Sequence, residues 1–173
     1  EIIDNTITLT GNYTVGIVVL SEAVVENNKI SLIASNVGSE SIWDLVPMET
    51  SGIVVYANAS ILNNEINSNN KAISLLGGSS TITGNVLTGY VYVESNTNTF
   101  TRNMINATSD YAIDLGNSTG NVITENELYA NELKGDFAVN GDVSANEIYD
   151  NYPFNKTDAV LAVEASDINE GEN

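Results

Sequence analysis

Ile82-Thr83-Gly84-Asn85-Val86-Leu87 and, eighteen residues on, Phe100-Thr101-Arg102-Asn103-Met104-Ile105 carry one pattern: apolar, two free positions, asparagine, one free position, apolar. The pattern recurs at Ile2 to Ile7 around Asn5, Val25 to Ile30 around Asn28, and Ile61 to Ile66 around Asn64. It continues at Ile123 to Leu128 around Asn126 and at Val143 to Ile148 around Asn146. Successive central asparagines are 23, 36, 21, 18, 23 and 20 residues apart, so every spacing but one fits a single repeating unit, and the exception implies an insertion.

Between these phrases lies a second apolar pair with strand-like alternation: Ile17/Val19, Ile53/Val55, Ile73/Leu75, Val91/Val93, Ile113/Leu115 and Phe137/Val139. A unit of this length, with short strands and polar corners, cannot bury its apolar face alone. Its neighbours must stack on it, which makes the chain a solenoid. The expected fold is all-β, a single-stranded right-handed parallel β-helix of about seven coils, forming a rod roughly 30–35 Å long at the ~4.8 Å interstrand spacing. Residues 1–173 form one domain.

An asparagine at the same inward bend of each coil can donate to and accept from its neighbours above and below, and it tolerates the left-handed backbone of a tight turn. Asn28, Asn64, Asn85, Asn103, Asn126 and Asn146 are assigned to such a ladder. The competing reading has solvent-facing turn asparagines.

Composition agrees with strands and corners. Hydrophobic residues make up 42% of the chain and charged residues 16%, enough apolar matter for a continuous core. The net charge of −18 arises from five Lys plus Arg against 23 Asp plus Glu, which disfavours nucleic acid and anionic membranes as partners. With no cysteine and no histidine, disulfides, Cys/His zinc sites and histidine triads are excluded. No membrane-length apolar run is present.

The phrase and its spacing resemble the parallel-β-helix repeat of pectate-lyase-like proteins and of the large adhesin-like surface proteins of methanogenic archaea. The resemblance covers residues 2 to 152 and implies the fold and an extracellular, cell-surface location. Its members include lyases, hydrolases, binding modules and spacers, so it assigns no chemistry. No catalytic motif of the family is reproduced here.

The long spacing places an insertion at residues 37–50, containing Trp43, the only tryptophan. As a loop it covers part of the solenoid, and Trp43 is a candidate subunit contact. The sequence shows no cap at either end. Uncapped coils point to a longer solenoid or to pairing with further copies.

Two features invite chemistry. Glu127-Leu128-Tyr129 and Glu147-Ile148-Tyr149 read as one outward column of paired glutamates beside one of paired tyrosines, a candidate glycan or cation patch. The same residues suit a solvated strand face. Asp110 and Asp114 form a second acidic cluster without calcium-loop spacing. The basic residues Lys29, Lys71, Arg102, Lys134 and Lys156 are scattered and offer no stabilisation to a uronate, so a lyase is not expected.

The resulting expectation is a structural or adhesive surface solenoid that assembles end to end, with no enzyme activity, cofactor or metal. Its partners are copies of itself or a larger surface protein. A glycan-binding or glycan-processing domain is the alternative.

Overall fold

A computed structural model describes residues 1–11, 14–34, 50–130 and 138–153. Every strand pairing among them is parallel. The first sheet stacks seven strands in chain order: Ile2–Ile3, Ala23–Glu26, Ala59–Leu62, Thr81–Thr83, Thr99–Thr101, Val122–Thr124 and Glu147–Tyr149. The second sheet has eleven strands, and two long ones, Glu65–Leu75 and Val86–Val93, bend it into two columns. One column runs Thr6–Gly11, Lys29–Ala34, the first halves of the long strands, Met104–Asn106, Glu127–Tyr129 and Tyr152–Pro153. The other runs Val15–Val19, Ser51–Val55, the second halves, Ile113–Asp114 and Val139–Asn140. Each circuit of the chain therefore visits three faces, and the chain is a parallel β-helix.

The two apolar positions of the repeated phrase create the first two faces. Val25, Ile61, Ile82, Phe100 and Ile123 pair in register, and all are 0% exposed. Ile30, Ile66, Leu87, Ile105 and Leu128 form the second buried column, and Ile53, Ile73, Val91 and Ile113 the third. Each fully buried side chain of this size contributes about 1.5–3 kcal/mol. One coil alone could cover neither side of such a column, so the stack holds as a whole.

Coil length changes at one place. Between Asn67 and Lys71 one coil has three residues where the next, between Thr88 and Tyr90, has only Gly89. The first coil also has Ala72 between Lys71 and Ile73, while Tyr90 and Val91 are adjacent. The net excess, two residues at the first place and Ala72 at the second, accounts for asparagine spacings of 21 and 18. Ala34 pairs with Gly11 on the second face and Ser51 with Val15 on the third, so the long spacing falls between those two faces. Most of the assigned insertion, including Trp43, lies outside the described residues, as do Lys134, Phe137 and Lys156. Thr50 and Ser51 are buried. Val139 pairs with Ile113, so it fills the first place of its apolar pair and not the second, as the sequence spacing had suggested.

Candidate functional site: the stacked asparagine corners

The corner between the first and second faces is built alike in every coil. The residue before the asparagine takes a left-handed conformation: Asp4, Asn27, Asn63, Gly84, Arg102, Glu125 and Asp150 have φ between 54° and 68°. The left-handed position thus belongs to the preceding residue, and the asparagine itself is freed to turn inward. Asn28, Asn64, Asn85, Asn103 and Asn126 are each at most 1% exposed.

The hydrogen bonds from one asparagine to the next run in one direction. The backbone N–H and the Nδ2 of Asn5 both donate to Oδ1 of Asn28, at 3.0 and 2.9 Å. The same double donation, at 2.9–3.0 Å, passes from Asn28 to Asn64, Asn85, Asn103, Asn126 and Asn151. The second Nδ2 hydrogen reaches back to a carbonyl of the preceding coil, as from Asn103 to Ile82 O at 2.8 Å and from Asn126 to Phe100 O at 3.0 Å. Each of these buried amides spans three coils with all its polar capacity used.

Asn146 is not in this row. Asn126 donates to Asn151, and Asn146 belongs to a second row at the corner between the third and first faces. There Asn98 donates to Asn121 Oδ1 from N and Nδ2, both at 2.9 Å, and Asn121 donates to Asn146 Oδ1 at 2.9 and 2.8 Å. Ser80 begins the row by donating its N–H to Asn98 Oδ1 at 2.9 Å. Asn98 and Asn121 are 0% exposed, and the repeated phrase alone did not reveal them. The missed signal is an asparagine two places before the first apolar residue: Asn98-x-Phe100-x-x-Asn103, Asn121-x-Ile123-x-x-Asn126 and Asn146-x-Ile148-x-x-Asn151.

This register also corrects the candidate glycan patch. Ile148 pairs with Ile123, which puts Glu147 opposite Val122 and Tyr149 opposite Thr124 in the first sheet. Glu127 pairs with Met104 and Tyr152, and Tyr129 with Asn106, in the second sheet. The two glutamates and the two tyrosines therefore occupy different faces and form no common column. Glu127 instead approaches its own neighbour Tyr129, whose hydroxyl donates to Oε2 at 3.4 Å. Loss of surrounding water, and then the Glu127 carboxylate, hold the Tyr129 phenol above its ordinary pKa. A double-mutant cycle of Glu127→Gln and Glu147→Gln, read by thermal melts, is expected to give additive effects. Coupling beyond experimental error would restore a shared site.

The remaining charges are dispersed. Lys29 meets Glu65 and Arg102 meets Glu125, both at 2.7 Å across adjacent coils and exposed, where such pairs add at most about 1 kcal/mol. Lys71 is 8% exposed, with Nζ 4.3 Å from the centre of the Tyr92 ring. Asp114 accepts from Gly116 N at 3.2 Å and Asn140 Nδ2 at 3.0 Å, a turn and cross-coil role. An open recess of about 390 Å³ has Glu1, Glu22, Asn58, Ser79 and Thr81 in its wall, and none of the described side chains lining it is basic or aromatic. No helix of the described residues is long and apolar enough to cross a membrane.

Parallel coils, aliphatic columns and two corner rows define a β-solenoid built from a stacking repeat. Residues 1–170 match the family described as periplasmic copper-binding protein (NosD), and the chain belongs to that family. No curated protein and no solved structure matches the chain.

The copper in the family's description does not fit the donors present here. The chain has no histidine or cysteine and two methionines. Among the described residues no three His, Cys, Asp or Glu side chains gather to hold an ion.

Proposed function

We propose that this chain is an extracellular structural or adhesive β-solenoid of a cell surface, a part of a sheath, surface layer, fibre or adhesin that extends by end-to-end stacking. On this reading it is a right-handed rod of about seven coils, the hand that parallel crossovers take, and the asparagine rows are its ladder. The observation that carries the proposal is the single direction of those rows. Every described asparagine pair donates toward the coil later in sequence, so in the first described coil the Asn5 side-chain oxygen Oδ1 receives no donation from a described asparagine, while its backbone oxygen is held by Lys29 N at 2.8 Å. A preceding coil of a longer chain or the last coil of another copy can dock there, continuing backbone pairing and the aliphatic columns. Burying that apolar area adds about 25 cal/mol per Å². The periplasmic family description and the resemblance to surface adhesins support a place outside the cytoplasm.

Charge sets the condition for assembly. Bodies of charge −18 repel unless ions screen them, so association is expected to strengthen with ionic strength. Light scattering and electron micrographs across a salt series, with Ile7→Lys as a block at the first coil's aliphatic column, test this. Ordered polymers that grow with salt and are lost in the variant support stacking. Monomers at every salt concentration would end the assembly half of the proposal.

No catalytic step belongs to this reading. Incubation with neutral and acidic polysaccharides is expected to release neither reducing ends nor unsaturated products. A glycan array tests the rival binding reading, and selective binding of one glycan would favour it.

A further inference from the structure

We infer that copper is not a ligand of this chain, although the chain belongs to a family described by that metal. The inference rests on donor chemistry. Copper(I) is selected by thiolate and thioether sulfur, and copper(II) by imidazole in nitrogen- and oxygen-rich tetragonal sites. The whole sequence has no thiolate and no imidazole to give, and its soft donors are the thioethers of Met48 and Met104.

The position of Met104 argues further against a site. It lies on the second face, 40% exposed, paired in register with Val86 on one side and Glu127 on the other. Val86 offers no donor atom. Glu127 offers a hard carboxylate oxygen, a poor companion to sulfur for holding copper(I).

The interior cannot substitute. Its buried oxygens and amide nitrogens in the corner rows are already committed: Oδ1 of Asn103 accepts twice from Asn85, and its Nδ2 donates to Ile82 and Asn126. Turning such an amide toward an ion would strand buried partners in two coils. The acidic surplus supplies oxygen only, and among the described residues it is spread along the rod without a cluster. What remains is weak, diffuse and salt-sensitive attraction of cations to a negative body.

The test uses the purified chain. Copper(I) is presented as its bathocuproine disulfonate complex, and the chelator's absorbance is followed as protein is added in excess. Copper(II) is added separately, dialysed against physiological salt containing glycine as a weak competing chelator, and examined by electron paramagnetic resonance and metal analysis. We expect the chelator to keep all its copper(I), no copper(II) to survive dialysis, and the melting temperature to be unmoved by either ion. Copper(II) that binds at low ionic strength but leaves in physiological salt alone is carboxylate association and agrees with the inference. One equivalent of copper retained against either chelator would overturn it, and loss of that equivalent in Met104→Leu or Met48→Leu would identify the ligand.

Discussion

Asn103→Leu is expected to lower the stability of the solenoid by roughly 3–5 kcal/mol, because it leaves several buried polar groups without partners at about 1–3 kcal/mol each. The side chain it removes takes part in four hydrogen bonds of 2.8–3.0 Å: two accepted from Asn85 and one donated to each of Ile82 O and Asn126 Oδ1. Leucine adds apolar volume, but it cannot serve the Asn85 N–H or the Ile82 carbonyl. Asn85 and Asn126 are both 0% exposed, so water cannot replace what is lost. Asn106→Leu is the control, since that asparagine is exposed and stands outside both rows. Urea and thermal melts of the two variants should differ widely, and equal midpoints would mean that the row contributes nothing specific.

The second large effect is expected at Gly78, in the corner that leads from the third face to the first. Its φ is +73°, and a Cβ there would lie 2.3 Å from Ala57 C and 2.5 Å from Asn58 N. Those atoms are backbone of the coil beneath and cannot rotate away. Alanine would add the left-handed penalty of roughly 1–2 kcal/mol to that clash, so Gly78→Ala should cost about 3 kcal/mol or more, as over-packing against a rigid neighbour does. Gly84→Ala is the comparison. Its φ is +68°, but the atom a Cβ would meet is Oδ1 of the exposed Asn63, which can move. The other coils already hold Asp, Asn, Arg or Glu at that position. Gly84→Ala should therefore cost only about 1–2 kcal/mol. If the two alanine variants melt together, the close approach at Gly78 is not rigid.

These residues also show which parts of the fold the sequence declares. The corner between the first and second faces has fixed length in each coil, so its signature of two apolar residues around an asparagine repeats without gaps and can be read directly. The corner between the second and third faces varies in length. It holds three residues in one coil and Gly89 in the next, so spacing from one asparagine to the next carries less information than the phrase itself. Asn146 illustrates the consequence. Val143-Ser-Ala-Asn146-Glu-Ile148 satisfies the phrase, and its distance from Asn126 is ordinary, yet Ile148 serves as the first apolar residue of the next phrase, around Asn151. A second row had to be recognised before that register could be chosen. The slip carried Glu147 and Tyr149 onto the wrong sheet, and the apparent patch with Glu127 and Tyr129 followed from it. Hydrogen bonding between coils, and not local pattern, distinguishes the two asparagine positions.

The one-way asparagine rows and the serial stacking of coils also determine how such a rod would respond to force. A pull on the chain at one end loads the terminal coil first, because each coil contacts mainly its neighbours. Peeling that coil breaks its strand pairings and its asparagine bonds to the next coil, while the coils beyond keep theirs. A coil of 18–25 residues, once extended at roughly 3.3–3.6 Å per residue, releases a length many times the rise it occupied in the stack. The rod would thus yield in discrete steps, dissipating load one coil at a time while the remaining columns stay closed.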